Sequence, residues 1–238
     1  MLTSVQLQIL KRIPPSLPKG RSKLGSLLGN EFLGSIEGKV VIDFGCGDGV
    51  DAVEMALHGA RRVIGIDIRE DILDAARCRA RDAGVESVCC FTLKTSEPAD
   101  VVISVDAFEH YADPGEILSV MGSLLRPDGE IFVSFGPTWY HPLGGHLFSV
   151  FPWAHLIFSE KALLAWRSSF KNDGATRFTE VARGLNQMTI GRFERLVAGS
   201  PFRFESLELI PIRKLRFLHT RLTREFTTAI VRCRLVRR

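Results

Sequence analysis

The sequence predicts an α/β fold built on a mostly parallel sheet. From residue 39 to residue 135, short β-branched runs alternate with segments of helical periodicity. Such alternation is typical of parallel strands joined by right-handed helical crossovers. Two later runs, at 203–210 and 226–235, alternate apolar and polar residues, and they predict an antiparallel strand pair at the edge of the sheet. With 45% apolar residues, the 238-residue chain can bury one sizeable core.

Five strands and three helices are predicted in the alternating part. Glycine follows the ends of the first two helices, and proline stands in the first turn of the third. The sequence Pro127-Asp128-Gly129 predicts a turn into the fifth strand. The predicted strands are 39–44, 62–67, 88–93, 100–105 and 130–135, and the predicted helices are 50–58, 70–83 and 114–125.

The pattern changes after the fifth strand, where the chain reads GPTWYHPLGGHLFSVFPWAHL. Glycine, proline, histidine and aromatic residues dominate this stretch, and Gly136, Gly144 and Gly145 could act as hinges. We therefore expect a helical and aromatic lid over the mouth of a site. Helices are predicted at 159–170, at 189–198 and, with basic character, at 214–224. The expected organisation is a single domain, 1–238, with an N-terminal extension (1–36), a ligand-binding core (39–136), a lid insertion (137–200) and a final strand pair (201–238).

The charge of the chain is modest overall but concentrated at its ends. The net charge is +4, and residues 213–238 hold nine Lys or Arg against one acid, Glu225. Basic ends can meet nucleic acid or an anionic membrane, for which Leu7, Leu10 and Ile13 supply an apolar face. The alternative is a solvated surface, and prolines soon interrupt the N-terminal pattern.

The cysteines and the N-terminus predict a cytoplasmic protein. Five cysteines without a CxxC pair fit reduced thiols and predict no metal site. The N-terminus lacks the order of a signal peptide, and no uncharged apolar run reaches 18 residues.

The stretch VVIDFGCGDG, residues 40–49, ends a strand in a glycine-rich turn. Such a turn lets a ligand approach backbone amides at the start of a helix. The spacing is G-x-G-x-G, which departs from the dinucleotide pattern G-x-G-x-x-G. Asp43, two residues before Gly45, suits an ammonium group better than a pyrophosphate. Asp67 ends the second strand and can accept both hydroxyls of a ribose. S-adenosylmethionine has these parts.

Four ordered stretches, VIDFGCGDG, VIGIDI, ADVVISVDAFEHY and LLRPDGEIFVSF, resemble the motifs of class I S-adenosylmethionine-dependent methyltransferases of the small-molecule type. The resemblance covers residues 39–135 and the late strand pair. It implies a Rossmann-like seven-stranded sheet with an antiparallel last strand, and S-adenosylmethionine as the cofactor. By this resemblance, the cofactor-binding residues are Asp43, Gly45, Cys46, Gly47, Asp67, Ile68, Asp106 and Ala107. Thr95 or Ser96 is a loosely aligned candidate for adenine recognition.

Methyl transfer from a sulfonium is an in-line displacement, so the protein chiefly positions the acceptor and excludes water. A general base is needed only where the acceptor arrives protonated. Glu109 and His110 resemble a Glu-His pair found in small-molecule methyltransferases, and His110 is a candidate base. In the lid, Tyr140, His141 and His146 stand beside the glycines and are candidates to reach the acceptor. The phenylalanines Phe148, Phe151 and Phe158 are spaced as one packing face.

The sequence supports three hypotheses of function. The leading one is a methyltransferase acting on a small or lipid-like acceptor. The second is a nucleic-acid methyltransferase that uses the basic C-terminal segment, although Arg232, Arg234 and Arg237 could equally protect an exposed edge strand. The third is a non-catalytic scaffold with a cofactor fold. An NAD-dependent enzyme is disfavoured by Asp43 and by Val50, which stands beyond the third glycine.

Overall fold

The computed structural model describes residues 24–171, 174–181 and 184–238, without the side chain of Asn30. The apolar N-terminal residues Leu7, Leu10 and Ile13 lie outside this part of the chain. No helix in the described ranges is long and apolar enough to cross a membrane.

A seven-stranded sheet forms the centre of the molecule, in the order β3-β2-β1-β4-β5-β7-β6. The first five strands are parallel, and β7 runs antiparallel to both of its neighbours. The sequence prediction of the fold class is therefore confirmed. The strands are β1 (Val40–Phe44), β2 (Arg62–Ile66), β3 (Cys89–Thr92), β4 (Ala99–Val105), β5 (Leu125–Phe135), β6 (Phe202–Pro211) and β7 (Thr228–Arg237).

Helices cover both faces of this sheet, as right-handed crossovers require. Residues of the four helices before β3 pack with Val41, Val63 and Val101 on one face. Residues of α5 and α8 pack with Ile42 and Val102 on the other. The helices are α1 (Leu24–Leu28), α2 (Asn30–Ser35), α3 (Val50–Leu57), α4 (Glu70–Asp82), α5 (Pro114–Ser123), α6 (Ala154–Ile157), α7 (Glu160–Arg167), α8 (Ile190–Ala198) and α9 (Arg224–Thr227).

The helix starts follow local chemistry. Asp113 precedes α5 and accepts hydrogen bonds from the N–H groups of Gly115 and Glu116, at 2.9 and 3.0 Å. Pro114 occupies the first turn of that helix, as predicted. These contacts satisfy backbone donors that have no partner within the helix.

The segment predicted as a lid insertion, residues 137–200, contains a hydrophobic cluster of its own. Phe148, Phe158 and Trp166 are buried there, and Phe151 packs against them. The predicted packing role of the three phenylalanines is confirmed. The helix expected at 159–170 forms at Glu160–Arg167.

Three local predictions are wrong. No separate turn precedes the fifth strand, because β5 already begins at Leu125. Pro127–Gly129 lie within it, at the register shift between the pairs Ala99–Leu125 and Val101–Glu130. The basic stretch 214–224 is not an α-helix but a 3₁₀ helix at Arg213–Leu218, followed by a loop. The arginines of the last strand do not protect an edge, because β7 lies between β5 and β6.

Phe193 of α8 joins the helical layer to the sheet. Its fully buried ring lies 5.3 Å from the ring of Phe108, 5.0 Å from Phe135 and 5.8 Å from Phe204. Phe193→Ala is expected to lower the free energy of unfolding by about 3–5 kcal/mol, because it leaves a cavity among these rings. Phe170→Ala, at a 42% exposed ring, is the control. Urea denaturation that gives equal losses for both variants would contradict this account.

Candidate functional site

The glycine turn after β1 is closed by contacts that leave no room for side chains. The N–H groups of Gly45 and Cys46 both donate to the carbonyl of Ile66, at 2.8 and 2.9 Å. A Cβ atom on Gly45 would lie 2.8 Å from the Cβ of Ala107 and 3.0 Å from the hydroxyl of Tyr111. The structure thus brings the predicted residues Gly45, Cys46 and Ala107 together where the strand order reverses, the usual place for a ligand in such sheets.

The backbone of this turn needs glycine as well. Gly45, Gly47 and Gly49 have φ values of 88°, 54° and 75°, a left-handed conformation that glycine adopts without steric cost. Gly49 also precedes α3, so the turn delivers the chain directly into the first helix. The N-terminal amides of α3 therefore face the same space as the glycines.

Asp43 is buried beneath this turn with an incomplete set of partners. Its side chain is 3% exposed, and its Oδ2 has no hydrogen-bond partner among the described residues. Burial raises the pKa of Asp43 well above its ordinary value, and the charges of Asp51 and Asp67 raise it further. A cationic group beside Asp43 would stabilise the carboxylate and supply the missing contact.

Asp67 is held by contacts that compete with a ligand. Its carboxylate accepts from the N–H of Gly47 at 3.1 Å, and from the backbone, Nε and Nη2 of Arg69 at 3.0–3.1 Å. Burial alone would raise the pKa of Asp67, but the hydrogen bonds from Arg69 and Gly47 outweigh burial and lower it. A ribose that binds Asp67 must therefore displace the Arg69 guanidinium.

Ile68, next to Asp67, is an apolar side chain that is 89% exposed. An exposed isoleucine at the rim of the glycine turn can cover one face of a bound base. Thr95 lies in the loop after β3, where its hydroxyl accepts from the N–H of Glu97 at 3.1 Å. Asp106 follows β4 with φ 49°, and its N–H donates to Ser134 at 2.9 Å. The cofactor roles of Thr95 and Asp106 stay predictions.

A buried carboxyl lies beside the end of β5. Glu109 is 3% exposed, its carboxylate accepts from its own N–H and from that of Gly136, and its Oε2 has no partner among the described residues. Burial raises the pKa of Glu109 to about 8, and the nearby charge of Asp106 adds to this effect. Glu109 therefore carries a proton at neutral pH.

Two of the candidate histidines, His110 and His146, contact each other. The rings of His110 and His146 are 5.2 Å apart in an edge-on arrangement. Nδ1 of His110 lies 2.8 Å from the carbonyl of Gly184 and therefore donates its proton to that carbonyl, which fixes the orientation of the ring. His146 is hydrogen-bonded to the backbone of Pro137, and burial and the charge of His110 lower its pKa to about 4. Its buried Nε2 has no partner in the described ranges.

Tyr140 and His141 take different positions. The ring of Tyr140 lies 5.4 Å from that of Phe226, in the connection that precedes β7. His141 is buried inside the insertion, where its Nδ1 accepts from the N–H of Leu143 at 2.9 Å. Burial, and then the charge of His155, lower the pKa of His141 to about 4. The structure thus groups His110 with His146, and places Tyr140 and His141 in other contacts.

Three residues of the site were missed by the sequence reasoning. Arg69 forms an ion pair with Asp67, and its position two residues after that acid was a signal in the sequence. The hydroxyl of Tyr111 donates to the carbonyl of Phe44 at 2.7 Å and fills the space beside the glycine turn. The side chain of Asn186 donates to the carbonyls of Phe108 and Tyr111, both at 2.9 Å, and so holds the turn that carries His110. No local signal marks Asn186, because its partners are more than 70 positions earlier in the chain.

The fold and the site define a class of nucleoside-binding α/β protein: a glycine turn, an acid before it, and an acid at the end of the second strand. Residues 36–137 match the family model described as a methyltransferase domain. They are therefore a methyltransferase domain, and the prediction of a methyltransferase made from the sequence is confirmed.

Relatives with known names share this part of the chain. The ubiquinone biosynthesis O-methyltransferase of Salmonella paratyphi A is 36% identical over 119 residues, which cover 46% of this chain and 49% of that protein. The protein of the same name from Neisseria meningitidis serogroup C is 39% identical over 106 residues, covering 42% and 44%. The chain thus spans about half the length of the known relatives it matches.

Solved structures share the fold at low sequence identity. An S-adenosylmethionine-dependent methyltransferase from Listeria monocytogenes superimposes with a TM-score of 0.55 at 17% identity, covering 99% of each chain. The geranyl diphosphate C-methyltransferase of Streptomyces coelicolor A3(2) gives a TM-score of 0.58 at 16% identity, covering 87% of this chain and 77% of that one. These likenesses support the architecture alone.

Competition between Arg69 and a ribose for the Asp67 carboxylate can be measured. Arg69→Ala is expected to strengthen binding of S-adenosylmethionine about two- to fivefold, because a half-exposed ion pair no longer has to be broken. Asp67→Ala should weaken binding at least about tenfold. Arg77→Ala, on the helix that follows Arg69 and paired with Glu70 and Asp74, is the matched control. If Arg69→Ala weakens binding as much as Asp67→Ala does, Arg69 holds the ligand rather than competing with it.

Glu109 gives a stability that depends on pH. Between its ordinary value of 4.5 and its folded pKa of about 8, only the folded state binds this proton, so the free energy of unfolding falls as pH rises. Glu109→Gln should therefore match the wild type near pH 5 and exceed it above pH 8 by more than about 1 kcal/mol. The raised pKa of Asp43 acts in the same direction, so some slope should persist.

Urea denaturation across this pH range measures the difference. Glu86→Gln, at an exposed carboxylate, is the control and should leave the pH profile unchanged. A Glu109→Gln variant with the same pH dependence as the wild type would show that the carboxyl titrates normally.

Proposed function

We propose that this protein transfers the methyl group of S-adenosylmethionine to a hydroxyl oxygen of a small or lipid-like acceptor. The observation that carries the proposal is the buried Asp43 carboxylate with an unpartnered oxygen directly beneath the glycine turn. A buried acid of raised pKa is stabilised by a cation, and the cofactor brings an ammonium group on its methionine part. The names of the relatives favour oxygen as the atom methylated.

The residues present fit the cofactor part by part. Asp43 would bind the ammonium group, and Asp67 the ribose hydroxyls once Arg69 has moved away. The space that a Cβ on Gly45 would fill is needed for the ligand's close approach to the backbone. Ile68 offers its exposed side chain to the base. When bound, S-adenosylmethionine supplies a methyl carbon that its sulfonium charge has already activated.

The chain's own residues then have to orient the acceptor and hold its proton. The neutral His146 presents an unprotonated Nε2 that can accept a hydrogen bond from the hydroxyl. His110, with Nδ1 fixed on the carbonyl of Gly184, keeps a basic Nε2 that can take the proton. Protonated Glu109 adds no negative charge that would attract the proton away. The insertion, residues 137–200, acts as the lid that excludes water.

The nucleic-acid alternative loses its main support in the last strand. Arg232 forms an ion pair with Glu208, and Arg234 forms one with Glu130. Arg237 donates to the carbonyl of Gly122 at 2.7 Å. These guanidinium groups are engaged within the sheet, so they do not form a free stripe of cations for a phosphate backbone.

Calorimetry tests the proposal first. We expect S-adenosylmethionine to bind the wild type with micromolar affinity, about −8 kcal/mol, and NAD to give no signal. Transfer of labelled methyl to a panel of hydroxylated small-molecule and lipid-like acceptors then tests catalysis. His146→Ala and His110→Ala should each lower turnover about 100-fold or more without weakening cofactor binding.

His58→Ala, at an exposed histidine after α3, is the matched control and should retain wild-type turnover. Cofactor binding without any methyl transfer would leave the scaffold alternative. No cofactor binding by the folded protein would refute the proposal.

A further inference from the structure

The connection between β6 and β7, residues 212–226, lies at the same edge of the sheet as the site. Because β7 is antiparallel to β5, its first residues lie beside the last residues of β5, and Val231 pairs with Phe135. The carboxyl ends of β1, β4 and β5 meet at this edge. The exposed side chains of the β6–β7 connection therefore lie beside the mouth of the site.

Large apolar side chains stand out from this connection. Leu222 is 92% exposed, Phe217 is 79% exposed, and Leu218 and Phe226 are 46% and 45% exposed. Single exposed apolar residues are common, but four within ten positions are not. The apolar surface continues from Phe226 to the ring of Tyr140 in the insertion, 5.4 Å away.

Cations alternate with these apolar residues. Arg213, Lys214, Arg216 and Arg221 are all exposed, and none forms an ion pair with a residue in the described part of the chain. The one acid, Glu225, is already engaged: its carboxylate accepts from the N–H groups of Ile190 and Gly191 at 3.0 and 2.8 Å. Four positive charges on the surface of the connection are thus left without a local counter-charge.

The connection is held in a defined shape next to the insertion. The N–H of Ile212 donates to the carbonyl of Thr227 at 2.8 Å, and His219 is hydrogen-bonded to the Thr227 hydroxyl at 2.8 Å. The hydroxyl of Thr138 donates to the carbonyl of Glu225 at 3.4 Å. The exposed apolar side chains therefore lie on a folded surface whose base is fixed, rather than on a free tail.

We propose that the β6–β7 connection is a membrane-docking surface that binds anionic lipid bilayers and sets the mouth of the site against them. The cations suit the lipid phosphates, which attract basic segments close to the bilayer. Phe217 and Leu222 suit the boundary between headgroups and acyl chains, about 5–10 Å deep, where apolar side chains lose contact with water. Charge complementarity and apolar exposure occur together here, and both are needed for this partner.

A nucleic acid would use only half of these features. A phosphate backbone binds cations, whereas fully exposed aliphatic side chains such as Leu222 gain nothing from it. Docking to a bilayer does not depend on methyl transfer, so its test is independent of the proposed function. If both hold, a lipid-like acceptor can pass from the bilayer to the site without crossing water.

Vesicle sedimentation with the full-length chain tests the docking. The probes are phosphatidylcholine vesicles with and without an equal part of phosphatidylglycerol. We expect the protein to sediment with the anionic vesicles and not with the neutral ones. High salt should weaken this binding, because it screens exposed charges. Replacing Arg213, Lys214, Arg216 and Arg221 by Gln should reduce retention at least about tenfold, and Phe217→Ser with Leu222→Ser should do the same while the charge is unchanged.

Matched controls separate this surface from general charge and stickiness. Gln at the exposed residues Arg61, Arg81, Lys161 and Lys171 removes the same charge elsewhere, and Leu57→Ser with Leu93→Ser removes exposed apolar side chains elsewhere. Both should retain wild-type binding, and circular dichroism should show all variants folded. The proposal is overturned if the wild type ignores anionic vesicles, or if the β6–β7 variants bind as the controls do. It is also overturned if vesicle binding is lost only when Lys11, Arg12, Lys19, Arg21 and Lys23 are replaced by Gln. A further contradicting result is a protein that binds single-stranded RNA through the cations of the connection but does not bind vesicles.

Discussion

The close approach of three backbone segments at the glycine turn determines the layout of this molecule. The end of β1, the end of β2 and the start of the turn after β4 come so near one another that a single Cβ on Gly45 would overlap Ala107. Two amides of the turn share one carbonyl, that of Ile66, and a third binds Asp67. These backbone contacts hold Asp67 against the turn and fix the position of the turn relative to the ends of β1 and β2.

The acids and histidines around this turn are governed by exclusion from water. Asp43 and Glu109 are both nearly completely buried, and burial raises both pKa values. Burial has the opposite effect on His146, whose pKa falls, so that its ring stays neutral. The same dry environment therefore keeps a carboxyl protonated and a histidine unprotonated at one pH.

The sequence predicted the sheet, its seven strands and the residues of the glycine turn, because alternation and glycine spacing are local signals. It failed where distant segments decide the structure. The Pro127–Gly129 stretch predicts a turn, yet it lies within β5, at the register shift between the pairs Ala99–Leu125 and Val101–Glu130. Asn186 carries no local signal, although it holds the turn before His110. The grouping of His110 with His146, and the separation of Tyr140 from both, depend on the fold of the insertion and could not be read from spacing.

The antiparallel return of β7 has a consequence for how such a chain can be recombined. The match to the methyltransferase-domain model ends at residue 137, two residues after the end of β5, whereas the segment predicted as a lid comes later. The last strand then pairs with β5 from Ile131 to Phe135. A chimaera that exchanges the residues after 137 therefore has to form the strand pairing between β5 and β7 anew. The C-terminal strand of the chimaera has to pack with the side chains of the original β5. Acceptor specificity can therefore be transferred only if the pairing between β5 and β7 is kept.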